Sequence, residues 1–224
     1  MNIKNIILSR QFSVFFVLFA LFAYFIISYC FSLKYGFFDI EEVGITEILT
    51  YLFYGVGFGI IISHGQILLQ EATKKNFYEL VFLWVVALLR EMGIQHWLTT
   101  HDTVVTKIRF FTNPTNPLYE KMIAAFLFLI VIYVLLSLLI RNFKYCLEGL
   151  TIKINPVCIT TAVFIILAIL TQIADRYPAT YYKEFGISLS EHILFILKIF
   201  EEGGESILPL LFGIGVYQYC NKQI

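Results

Sequence analysis

The stretch IFEEGGESILPLL, residues 199–211, places three carboxylates in strongly apolar surroundings. Glu201, Glu202 and Glu205 surround the pair Gly203-Gly204, and apolar residues flank them on both sides. A carboxylate that faces hydrocarbon costs several kcal/mol unless it is neutralised, paired or hydrated. Carboxylates in such surroundings bind protons, ligate metal ions or form ion pairs.

Histidines accompany carboxylates elsewhere in the chain, which suggests a metal site. Imidazole and carboxylate ligands suit zinc, manganese or iron, and a bound divalent metal such as zinc could activate water. The spacing of five residues between the first two histidines differs from the i, i+4 pattern of zinc proteases. The alternative is that these histidines contact lipid headgroups. The predicted metal ligands are His96, His101, His192 and Glu202.

The segment LREMGIQHW, residues 89–97, supplies candidate catalytic groups. Glu91 would act as a general acid or base, and Arg90 would hold a phosphate or stabilise an oxyanion. Glu205 would orient these groups, and Glu47 would pair with Arg90. Together they predict a membrane-embedded enzyme that acts on a lipid or a lipid-linked substrate.

Two other functions fit the same residues. A carboxylate in a low-dielectric pocket could take up and release protons or ions, as in a coupled transporter or channel. Alternatively, Arg90 could pair with Glu47 or Glu202, and Lys198 lies three and four residues before Glu201 and Glu202. Such ion pairs would fix helix register in a non-catalytic assembly or immunity partner.

Composition identifies an integral membrane protein. Of 224 residues, 59% are hydrophobic and only 14% are charged, and the formal net charge is zero. Soluble domains carry about 25% charged residues. The charge balance gives no support for a nucleic-acid partner, and no P-loop or Rossmann fingerprint supports a nucleotide. The four cysteines form no CxxC pair.

Apolar segments long enough to cross about 30 Å of hydrocarbon predict an all-α protein with six transmembrane helices in a single domain, residues 1–224. The predicted spans are 12–33, 45–69, 78–99, 118–140, 156–175 and 188–219. The last span is long, and its glycine pair and Pro209 predict a break at Gly203-Gly204. The connection around residues 113–117, Asn-Pro-Thr-Asn-Pro, is typical of a turn.

Basic residues predict the orientation. If the amino terminus is cytoplasmic, eight Lys and Arg residues lie inside and six lie outside. This bias favours cytoplasmic positions for both termini.

Three motifs resemble those of an uncharacterised family of small polytopic proteins of the bacterial inner membrane. E-x-G-x-x-E precedes span two, R-E-x-x-x-x-H lies in span three, and E-E-x-x-E lies in the last span. Gly93 stands where the family pattern has an acid, so that carboxylate has no counterpart here. The resemblance covers a minor part of the chain. It implies six spans and a bacterial inner membrane, with membrane lipids as partners, but it implies no activity. The small size favours a homo-oligomer if the protein is a transporter.

The metal hypothesis predicts a near-stoichiometric metal ion in the purified protein. Mass spectrometry should detect that ion and should show its loss in a folded His96→Ala, Glu202→Ala double variant. A wild-type protein without metal would contradict the hypothesis and would favour proton coupling or structural ion pairs.

Overall fold

The structure, a computed structural model, describes residues 3–35, 45–69, 74–94, 99, 108–152 and 154–222. Within these ranges the chain forms helices and short connections and contains no strand, which confirms the predicted all-α class. In chain order the described helices are α1 (Ile3–Ile7), α2 (Phe12–Tyr35), α3 (Ile45–Ser63), α4 (Gly65–Leu68), α5 (Lys74–Glu91), α6 (Ile108–Thr112), α7 (Leu118–Thr151), α8 (Pro156–Phe185) and α9 (Glu191–Lys222).

The chain divides into two compact units. The first unit comprises Met1–His64 and Cys146–Ile224, and so contains α1, α2, α3, α8 and α9. The second unit comprises Gly65–Tyr145 and contains α4, α5, α6 and most of α7.

Three of the described helices are long and apolar enough to cross a membrane, so the chain is a membrane protein. These segments are Phe12–Cys30, Leu118–Thr151 and Pro156–Phe185, and a shorter apolar helix covers Ile48–Ser63. They correspond to the first, fourth, fifth and second predicted spans. The described part of the chain therefore supports a membrane bundle without establishing all six crossings.

Two predicted spans are only parts of longer helices. α7 has 34 residues and continues to Thr151, so the predicted loop at 141–155 is wrong over most of its length. α8 has 30 residues and continues through Pro178 to Phe185. It ends where Gly186 adopts φ 67° and donates its N–H to the carbonyl of Tyr182 at 2.9 Å. The left-handed conformation of this glycine, rather than the proline, ends the helix.

The second and third predicted spans are divided or shortened. α3 ends at Ser63, and the short α4 follows after His64. α5 ends at Glu91, where Gly93 has φ 70° and its N–H bonds to the carbonyl of Arg90 at 3.0 Å. A left-handed glycine is a common helix end, and residues with a side chain adopt this conformation at a cost. This turn accounts for a glycine at position 93.

The predicted break at Gly203-Gly204 is wrong, because α9 is one continuous helix of 32 residues. The two glycines serve close packing instead. A Cβ at Gly203 would lie 2.6 Å from Cδ1 of Tyr24, and a Cβ at Gly204 would overlap Cγ2 of Thr171. Small residues let α2 and α8 approach the backbone of α9, as in many membrane helix pairs.

α9 is the central helix of the first unit, since α2, α3 and α8 all pack against it. Val17, Leu167, Ile207 and Leu211 form a buried apolar layer from α2, α8 and α9. On the α3 side, a Cβ at Gly213 would lie 3.1 Å from Cα of Gly57. The acids of α9 are therefore held by helices on several sides.

A buried polar chain joins the other end of the same bundle. The hydroxyls of Ser13 and Thr160 are hydrogen-bonded, and Thr160 donates to Oε1 of Gln218 at 2.6 Å. Nε2 of Gln218 donates to the carbonyl of Ile7 at 2.8 Å. Ser13, Thr160 and Gln218 are each at least 98% buried. These hydrogen bonds hold α1, α2, α8 and α9 together, and each buried polar atom that takes part in them has a partner.

In the second unit, the connection between α6 and α7 confirms the predicted turn. Thr115 donates its N–H to the Asn113 side chain at 3.1 Å, and the Asn116 amide donates to the carbonyl of Phe110 at 2.9 Å. Phe110 itself is buried against Ala124.

Substituting Gly204 by alanine should destabilise the protein. The added methyl would overlap the stiff, β-branched side chain of Thr171, and overpacking of this kind costs about 1–3 kcal/mol. Gly59 is a matched control, because a Cβ there meets nothing within 4 Å. Thermal unfolding in detergent should show a lower Tm for Gly204→Ala and an unchanged or higher Tm for Gly59→Ala. Equal Tm values in the two variants would contradict the packing argument.

Candidate functional site

The polar site of the first unit is an acidic cluster on α8 and α9, defined as Asp175, Glu201, Glu202 and Glu205. The charges of Asp175, Glu202 and Glu205 all act on Glu201, together with that of Lys198. The continuous α9 places its three acids within about one helical turn of one another. The geometry thus joins Glu202 and Glu205, as the sequence predicted, and adds Asp175 from α8.

Among the described residues, Lys198 contacts two of these acids. Its Nζ lies 3.1 Å from Oε1 of Glu202 and 3.9 Å from Oε2 of Glu201. Both pairs follow the i+3 and i+4 spacing that the sequence predicted. The Glu201 side chain is 17% exposed and the Glu202 side chain 33% exposed, so these carboxylates are only partly hydrated. One ammonium group offsets one of the four carboxylate charges.

Glu205 is linked to α8 through a neutral partner. Gln172 donates from Nε2 to Oε1 of Glu205 at 3.0 Å. The neighbouring Thr171 is buried against Gly204, so the close approach of the two helices brings Gln172 within reach of the acid. Sequence reasoning missed Gln172, and the only available signal was an amide in an otherwise apolar segment of α8.

The same segment of α9 is linked to α3 by two hydroxyls. Ser206 donates its hydroxyl to the backbone carbonyl of Glu202 at 2.8 Å, and Thr50 Oγ1 lies 2.7 Å from Ser206 Oγ. A serine hydroxyl has a single hydrogen, so Thr50 is the donor to Ser206. Both residues are buried, and they connect α3 to the turn that carries Glu202.

The predicted metal ligands do not meet in the described part of the chain. His192 is exposed at the start of α9 and lies ten positions before Glu202, a distance of about 15 Å along the helix. Among the described residues, no group of three or more His, Cys, Asp or Glu could hold a metal ion. His96 and His101 lie outside the described residues, so their part in a metal site stays a prediction.

The remaining histidine, His64, is a packing residue. Nδ1 of His64 lies 3.0 Å from the carbonyl of Ile60 and 3.1 Å from Oγ of Ser63. Its ring meets the edge of Tyr217 at a centroid distance of 5.5 Å. These contacts hold the end of α3 against α9.

The predicted catalytic residues divide between the units. Arg90 and Glu91 are the last two residues of α5 in the second unit. Glu47 lies in the first turn of α3, and Glu205 lies in the acidic cluster of the first unit. A joint catalytic role for these four residues stays a prediction.

Sequence reasoning missed a charged network in the second unit. Nη2 of Arg141 donates to both carboxylate oxygens of Glu79, at 3.0 and 2.9 Å, and to Oγ of Ser137 at 2.6 Å. Nη1 of Arg141 bonds to the Asn76 side chain, whose amide donates to Asn142 at 3.3 Å. Glu79 is buried, so this pairing satisfies a carboxylate that would otherwise be costly. The available signals in the sequence were an acid within the first two turns of α5, next to apolar residues, and an arginine that directly follows the apolar segment of α7.

No protein-family model, no curated protein and no solved structure matches the chain.

The Glu79–Arg141 pair should show strong thermodynamic coupling. Glu79→Ala and Arg141→Ala should each lower the free energy of unfolding, because each leaves a charged group without its partner. The double variant should lose less free energy of unfolding than the two single variants lose together, by about 1 kcal/mol or more. Unfolding measurements on the three variants test this. Arg176→Ala, at an exposed arginine of α8, is the matched control and should have little effect. Additive effects of the two substitutions would refute the coupling.

Proposed function

We propose that the protein is a six-span protein of the bacterial inner membrane, with both termini in the cytoplasm, that binds protons or small cations at the acidic cluster of α8 and α9. Its activity would be coupled transport or channel conduction. The observation that carries the proposal is the grouping of four described carboxylates, three of them partly buried on α9 and the fourth, Asp175, exposed on α8, with Lys198 within 3.9 Å of two of them.

The charge balance of the cluster supports cation or proton binding. Several like charges in partly dehydrated surroundings repel one another, and a bound proton or cation offsets that repulsion. Intramembrane acids that face a bundle interior commonly belong to ion pathways and proton relays.

The hydrogen bonds around the cluster offer a route from ion binding to helix movement. Gln172 donates to Glu205, and a hydrogen bond to a carboxylate is stronger than one to a neutral acceptor. Ser206 and Thr50 connect the turn of Glu202 to α3. Charge neutralisation at Glu202 or Glu205 would therefore change how α9 is held against α8 and α3.

A metal-dependent lipid enzyme remains the alternative. It requires His96 and His101, which lie outside the described residues, together with Arg90 and Glu91. His192 and Glu202 are too far apart along α9 to share one metal ion. The described geometry supports this hypothesis less than it supports cation binding. Dimerisation is part of the transport proposal, because a chain of 224 residues is small for a transporter.

Ion flux in proteoliposomes tests the proposal. Wild-type protein should dissipate an imposed proton or sodium gradient, followed with pH-sensitive and sodium-sensitive dyes. Glu202→Gln and Glu205→Gln should each reduce that flux by about tenfold, because each removes a charge from the binding site.

Glu184→Gln is the matched control, since Glu184 is exposed near the end of α8. Its flux should equal that of the wild type. Absence of flux for both ions in wild-type vesicles, or unchanged flux in both cluster variants, would refute the proposal.

A further inference from the structure

A group of lysines lies at one end of the pair formed by α5 and α7 in the second unit. Lys74 and Lys75 open α5, and Lys144 lies near the far end of α7. All three side chains are exposed. This lysine group is separate from the acidic cluster of the first unit.

Side-chain bonds between the two helices place these lysines at one level. Asn76 bonds to Asn142 and Glu79 bonds to Arg141, so residue numbers that increase along α5 face residue numbers that decrease along α7. The helices are therefore antiparallel. Continuing this register by one or two residues brings Lys74 and Lys75 level with Lys144.

The surface of α7 indicates the depth of this level in a membrane. From Met122 to Ile140 the helix carries many exposed large apolar side chains and no charged residue, and Arg141 and Lys144 are the first exposed charged residues after them. Tyr78 and Tyr145 are exposed beside the lysines. Tyrosines concentrate at the boundary between hydrocarbon and headgroups. The lysine group thus lies at headgroup depth.

The local charge at this level is positive. Two described carboxylates lie near the lysines and Arg141. Arg141 binds Glu79 through both oxygens, Lys75 lies 3.9 Å from Glu79, and Glu148 follows Lys144 by four residues on α7. α5 has no acidic residue in its first turn, where the helix dipole is positive. Lysines in that turn repel both the dipole and one another. A bound anion would relieve both repulsions.

We infer that the lysine group binds the headgroup of an anionic phospholipid. The phosphate would lie among Lys74, Lys75 and Lys144, and the acyl chains would lie along the exposed apolar surface of α7 that includes Leu136 and Ile140. This inference is independent of the proposed ion-binding function, because it uses none of the residues of the acidic cluster.

Native mass spectrometry of the full chain in detergent, with added phosphatidylglycerol or phosphatidylcholine, tests the inference. Wild-type protein should bind phosphatidylglycerol more tightly. Each Lys→Gln substitution in the group should weaken that binding by about fivefold, equivalent to about 1 kcal/mol per lysine near an anionic headgroup. Phosphatidylcholine binding should not change.

Two further variants separate charge from structure. Lys74→Arg, Lys75→Arg, Lys144→Arg should keep the preference for phosphatidylglycerol. Removal of two exposed cations from α8 by Arg176→Gln, Lys183→Gln should leave it unchanged. A wild-type protein without lipid preference, or a Lys→Gln triple variant that retains the preference, would overturn the inference. Competition by millimolar inorganic phosphate that removes all lipid preference would assign the lysines to a free-phosphate site instead.

Discussion

The need to give buried polar groups a partner governs this structure. The middle of α9 carries Glu201, Glu202, Glu205, Lys198 and Ser206 among apolar residues, and α2, α3 and α8 pack against this helix. Glycines at 203, 204 and 213 allow these helices to approach closely enough for short side chains to reach across. Gln172 then reaches Glu205, and Thr50 reaches Ser206. The same small residues thus allow both the close packing of the helices and the hydrogen bonds between their polar side chains.

The second unit meets the same need in another way. α5 and α7 are joined by long polar side chains, with Arg141 bonded to Glu79, Ser137 and Asn76. A buried carboxylate with a bidentate arginine partner contributes register and specificity more than net stability.

The two candidate chemistries differ in how far the helical geometry supports them. A metal site needs ligands from separate elements that converge within about 2–2.5 Å of one ion. His192 and Glu202 lie on the same continuous α9, about 15 Å apart along its axis. Cation or proton binding needs only neighbouring carboxylates and hydrogen-bond donors, which α8, α9 and α3 supply together. The spacing of His192 and Glu202 along α9 is therefore what favours the proposed ion binding over the metal-dependent enzyme.

The sequence alone determined that this is an all-α membrane protein, because apolar length and the scarcity of charge admit few other structures. It also identified Glu202, Glu205 and the Lys198 pairs, since spacing of three and four residues fixes neighbours on one helix. It failed wherever the outcome depended on contacts between helices. The glycine pair was predicted to break α9, but Tyr24 and Thr171 fill the space that it leaves. Gln172, Asp175 and the Glu79–Arg141 pair acquire their roles only when separate helices meet, and no local pattern in the sequence encodes those distances.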